Sequence, residues 1–227
     1  MPRVHHVKKA RKDNPAVKKG QPYYHWQRYR SRKQYSATYP KRSQLTSSGK
    51  LAAIYDAEDS VTDLSIDHDP DALAGSIESV KEVIESAADS FREVGEEYGE
   101  SADNLEEYFS GSAQIDDIRE KADACEEAAD NCVNVVDSLQ EAFDRLEELG
   151  DQPTEDNPGD DHDKPDLADF MADQGDDTEE EVTEKFEEAL EAWQGDVSDA
   201  ADEWQSEYDD IANDADNALS EFEGPQV

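Results

Sequence analysis

"IDDIREKADACEEAADNCVNVVDSLQEAFDRL", residues 115–146, decides the fold. Its apolar positions, Ile115, Ile118, Ala122, Cys125, Ala129, Cys132, Val136, Leu139, Phe143 and Leu146, step by three and four without a fault. That period is the seam of a long helix with one apolar stripe and a solvated remainder. The preceding stretch repeats it: Leu73, Ile77, Val80, Ile84, Ala87, Phe91, Val94, Tyr98, Leu105 and Tyr108 follow Asp69 and Pro70, a cap and a first-turn proline. Each helix would run about 55–60 Å. Equal lengths and the punctuating Ser110, Gly111 and Ser112 imply an antiparallel hairpin. Gly95 and Gly99 weaken the first helix by about 1 kcal/mol each relative to alanine, unless they permit a close helix approach.

Working outward, Thr178 and Glu181 form a capping box. Val182, Phe186, Ala189, Trp193, Val197, Ala200, Trp204, Ile211, Ala215, Ala218 and Phe222 then carry a third apolar stripe to Gly224. The expected fold is mainly α, a long antiparallel coiled coil or three-helix bundle with a small basic β-hairpin at the N-terminus. Its expected divisions are a basic extended arm (1–22), a basic aromatic β-hairpin (23–42), a connector with a short helix (43–69), the helical hairpin (70–149), an acidic linker (150–177) and the third helix (178–224). A homo-oligomer built through helices of this length is also compatible with the pattern.

A hydrophobic content of 35% in 227 residues argues against one large compact core and for long surface helices. Charge divides sharply along the chain. The first 50 residues hold 14 Lys and Arg against the single acid Asp13, whereas the remainder holds 7 against 59. Dense Asp and Glu, scarce Lys and abundant Ala resemble the proteins of halophiles that accumulate salt, haloarchaea above all. At molar salt the Debye length is about 3 Å, which screens the repulsion between such helices. No apolar run of about 18 residues and no apolar leader segment is present, so a soluble protein without a membrane role is expected. Cys125 and Cys132 lie seven apart on one helix, too far for a disulfide with each other, and read as buried apolar side chains.

Against that acidity stands "YYHWQRYRSRKQYSATYP", residues 23–40, dense in rings and cations. Alternation from Tyr23 predicts one strand to Arg30, a turn near Ser31 to Lys33, and a return through Tyr35, Ala37 and Tyr39. Lys and Arg pair with phosphates, and Tyr or Trp faces stack on bases. The expected nucleic-acid contacts, to DNA or RNA, are Lys8, Lys9, Arg11, Lys12, Lys18, Lys19, Trp26, Arg28, Tyr29, Arg30, Arg32, Lys33 and Tyr35. An acidic protein surface is the competing partner. A third reading has the basic segment dock on the chain's own acidic helices as a staple.

The stretch from Val4 to Gly49, with its KARKDNP, KKG, YYxW, YS and SQLT elements, resembles the N-terminal module of small uncharacterised proteins of tailed bacteriophages and archaeal viruses. The resemblance implies a viral or proviral origin and no established activity. Where those proteins commonly carry a glycine pair in the hairpin turn, this chain has Ser31 and Arg32. The segment is also similar in character to the three-stranded arm-binding modules of phage integrases, although no integrase catalytic domain follows.

Other patterns carry less. Asp67, Asp69, Asp71 and Glu78 match calcium-loop positions, but Ala72 stands where a glycine is needed and Pro70 reads as a helix start. His5 and His6 lack neighbouring ligands for a metal, and no phosphate loop or nucleophile elbow occurs. The expectation is a protein that is not an enzyme and needs no cofactor or metal. It would bind nucleic acid in the cytoplasm of a halophilic host, or serve in the virion by binding other virion or host proteins through its helices.

Overall fold

A computed structural model describes residues 1–109, 112–158, 164–172 and 178–227. Ser110 and Gly111 of the expected turn, and parts of the expected linker, lie outside the described residues. The chain is mainly helical with a small N-terminal sheet, and it divides into two compact units: Met1–Leu139 with Ala218–Val227, and Gln140–Asn217.

The first unit opens with three antiparallel strands, β1 (His5–Val7), β2 (Tyr23–Trp26) and β3 (Gln34–Ser36), in the order β1-β2-β3. The segment expected as an extended arm thus supplies a third strand. Two short helices follow, α1 (Arg42–Leu45) and α2 (Gly49–Thr62), in place of the one expected, and the Ser48 side chain caps α2 by accepting from the Leu51 amide. α2 packs on α3 (Leu73–Tyr108), held by Lys50. The Lys50 ammonium donates to the Glu97 carbonyl and the Ser101 hydroxyl and lies 4.4 Å from the Tyr98 ring centre.

α3 and α4 (Ala113–Leu149) run antiparallel: Gly95 faces Cys125, and Arg119 pairs with Asp103 and Glu106. The α3 seam is buried from Leu73 to Val94 as its period dictates. Tyr108, expected on that seam, is 73% exposed, and Ala102 is buried instead. On α4 the buried face is wider than the expected line. Ile115, Cys125, Ala129, Cys132 and Leu139 are buried as expected, and Ala128, Val135 and Ala142 are buried too, where Val136 and Phe143 are only half-buried. Both choices step by three and four, so spacing alone does not choose between them; partners on more than one side widen the buried face. At the end of the first unit the chain returns along α4. The Asn131 amide donates to the Glu221 carbonyl and accepts from the Glu223 amide, and Phe222 stacks on Phe91.

The two seam glycines differ. A Cβ on Gly95 would meet Cys125 Cβ at 3.3 Å and the Ala122 carbonyl at 3.4 Å, whereas one on Gly99 would meet nothing within 4 Å. Gly99→Ala should therefore stabilise the helix by about 1 kcal/mol, while Gly95→Ala should gain nothing because a helix backbone must yield. Urea unfolding of the two variants checks this pair.

Both thiols are fully buried, and burial pushes each up from 9.0 to about 11. The unfolded chain therefore loses these protons first as pH rises. Stability present below pH 9.0 should drain away towards about pH 11. Thermal unfolding on either side of that window should show a loss that Cys125→Ala with Cys132→Ala reduces.

The second unit holds the end of α4, α5 (Leu167–Ala172) and most of α6 (Glu179–Ser220). Thr178 and Glu181 form the expected capping box, with each backbone amide donating to the other's side chain. α6 runs antiparallel to the end of α4. Arg145 pairs with Asp214, and the Trp204 indole donates to the Gly150 carbonyl at 3.1 Å. Tyr208, absent from the expected stripe, is buried and stacks on Trp204. Among the described residues, no helix is long and apolar enough to cross a membrane.

Candidate nucleic-acid interface

The sheet separates its rings by strand alternation. His6, Tyr24 and Trp26 occupy one face. The indole of Trp26 is 3% exposed and donates to the Gln44 carbonyl at 3.2 Å. Trp26, expected as a contact, is therefore a core residue: its indole closes the sheet against the α1 segment, where Pro40 and Leu45 are also buried.

The opposite face holds His5, Val7, Tyr23, His25 and Tyr35. Registers His5 to His25 and His25 to Tyr35 set the imidazoles and phenol in one cross-strand row. His5 stacks on His25 at 5.0 Å, and Tyr23 lies 6.0 Å from both His25 and Tyr35. Burial first, then the Lys33 and His5 charges, lower His25 below the ordinary imidazole value, which keeps it neutral near pH 7. The row is a ring surface with Lys33 5.9 Å above Tyr35. Of this row the sequence singled out Tyr35 alone; His5, Tyr23 and His25 join it only through the strand pairing.

Two loops flank this sheet. Residues 8–22 fold into an ordered lobe: the Ala10 amide donates to the Gln21 carbonyl, and the Gly20 amide to the Ala10 carbonyl, both at 2.9 Å. The Asn14 side chain accepts from the Ala16 and Val17 amides. Asp13 accepts from the Lys19 amide at 2.7 Å, which gives the only acid of the first 50 residues a structural task. Around this frame Lys8, Lys9, Arg11, Lys12, Lys18 and Lys19 all stand exposed.

The second loop, residues 27–33, replaces the expected continuation of the strand to Arg30. Arg28 turns back and donates to the Thr46 carbonyl at 2.6 Å, and the Ser31 amide closes a turn onto the Arg28 carbonyl. Arg30 sits at φ +55°, a left-handed conformation costing a residue with a Cβ about 1–2 kcal/mol. Its guanidinium carbon lies 5.2 Å from the centre of Tyr29, whose side chain is 86% exposed. Arg30, Arg32 and Lys33 are exposed as well.

Arg42 and Lys50 reach acidic residues of the helices: Arg42 pairs with Glu58 at 2.7 Å, and Lys50 lies 3.9 Å from the Glu97 carboxylate. Among the described residues, no three His, Cys, Asp or Glu side chains group to hold a metal ion. Asp67 and Asp69 instead accept backbone amides two residues ahead, as a helix approach does.

The chain matches no protein-family model, no curated protein and no solved structure.

Proposed function

We propose that residues 1–46 form a nucleic-acid-binding module that acts by binding, without chemistry. One observation carries the reading: a row of partly exposed rings, His5, Tyr23, His25 and Tyr35, lies between two loops that present at least nine exposed cations. Phosphates pair with the Lys and Arg groups, and bases or sugars pack on the rings. If the acidic composition reflects a halophilic host, with the viral or proviral origin its N-terminal stretch implies, counterion release contributes little at working salt. Stacking and directed hydrogen bonds must then supply most of the affinity.

The test is binding of the full-length protein to labelled single- and double-stranded DNA and RNA in about 2 M KCl, where charge alone gives little. An Arg30→Ala, Arg32→Ala, Lys33→Ala triple variant, which leaves the Arg28 bond intact, should lose about tenfold or more. Absence of binding to all four probes would defeat the reading. A second reading, assembly with virion or host proteins through the helices, is favoured by Tyr108 and Phe109, 73% and 66% exposed at the end of α3. Abundance in purified particles would support it.

A further inference from the structure

We infer that the groove between the β2–β3 loop and α2 receives one unpaired nucleobase, so that the bound nucleic acid is single-stranded; this rests on the nucleic-acid reading above. The groove encloses about 600 Å³ and is lined by Arg28, Tyr29, Leu45, Thr46, Leu51 and Tyr55. That volume falls within the roughly 300–1,000 Å³ of small-molecule sites. It is enough for a nucleotide and far too small for a duplex.

Its walls differ in chemistry in the way a nucleotide does. Leu45, Leu51 and Tyr55 supply an apolar side, and the exposed Tyr29 ring stands at the mouth. Arg28 lines the groove and is anchored on the Thr46 carbonyl with donors left over. Beyond the lining, Arg30 lies over Tyr29, and Arg42, paired with Glu58, lies 4.0 Å from the Tyr55 ring centre. The groove that Tyr29 and Tyr55 both line has the volume for a flat uncharged ring, whose phosphate would meet Arg28 and the neighbouring Arg30. A purely apolar ligand would leave the arginines unused, and an inorganic anion would leave the rings unused. A paired base must first unstack, at a cost of a few kcal/mol, before it can enter. The strained Arg30 backbone holds the Tyr29–Arg30 pair at this mouth.

The experiment compares short labelled single strands with the duplex of the same sequence on the full-length protein, beside Tyr29→Ala and Leu51→Trp. Tyr29→Ala removes an exposed ring, and Leu51→Trp fills the groove; circular dichroism verifies that both are folded. The expected result is tighter single-strand binding, reduced about tenfold or more by Tyr29→Ala, with duplex affinity unchanged. Equal affinity for strand and duplex would overturn the groove while leaving the nucleic-acid reading standing. So would a single-strand preference that neither variant alters. Failure to bind any probe would remove the underlying reading and the inference with it.

Discussion

Trp26→Ala should unfold the N-terminal module while leaving α3 and α4 helical. The ring is 3% exposed, and truncating a buried Trp costs about 3–5 kcal/mol through lost contacts and the cavity left behind. Losing the indole also leaves the Gln44 carbonyl without its donor. The strands are only three and four residues long, so the sheet has little local stability with which to absorb such a loss. Amide hydrogen exchange reads the outcome by region. Protection should vanish across residues 5–46 and persist in α3, where Leu73 to Val94 remain packed. Tyr29→Ala, which removes an exposed ring from the same module, should leave the protection in place. If Trp26→Ala also left it in place, the ring would not be the keystone its burial implies.

That contrast between Trp26 and Tyr29 marks how far the sequence could be read. The helical period named the long elements and most of their buried positions, because a spacing of three and four admits few other structures. It did not separate Val135 from Val136, since each continues the same alternation from Cys132; the choice belongs to the neighbours in space. In the basic segment the difficulty was different. Alternation placed Tyr24 and Trp26 on one face and Tyr23 and His25 on the other, as found. Which face is covered depends on α1, whose four residues carry no period. Trp26 therefore appeared as a contact and His25 did not. Residues 1–22 read as an arm for a related reason. Their order comes from Asp13, Asn14 and Gln21 binding nearby amides, a pattern of single hydrogen bonds that leaves no periodic trace.

Transferring the protein from about 2 M to about 0.1 M KCl should melt its long helices, as the Debye length grows from about 3 Å or less to about 10 Å. The formal charge of −39 is concentrated after residue 50, where seven cations face 59 acids. Arg92, Arg119 and Arg145 are each nearly half exposed in their ion pairs, so solvent screens these pairs and they return little. Like charges one helical turn apart each cost a few tenths of a kcal/mol once unscreened, and the helices carry dozens of acids. Against a domain stability of about 5–15 kcal/mol, the accumulated repulsion is decisive. Helical circular dichroism should fall cooperatively during dialysis. Alkylation of Cys125 and Cys132 should accelerate over the same salt range, because their thiols are sealed only while α4 is packed. Full helicity with unreactive thiols at 0.1 M would show that packing along the seams outweighs the charge. The acidic surface would then have to be explained by its partners and not by its solvent. The N-terminal module should outlast them: the pair of its Arg42 with Glu58, and that of Lys50 just beyond it with Glu97, strengthen as screening is removed. Loss of helix in α3 and α4 before loss of protection in the sheet is therefore the expected order of events.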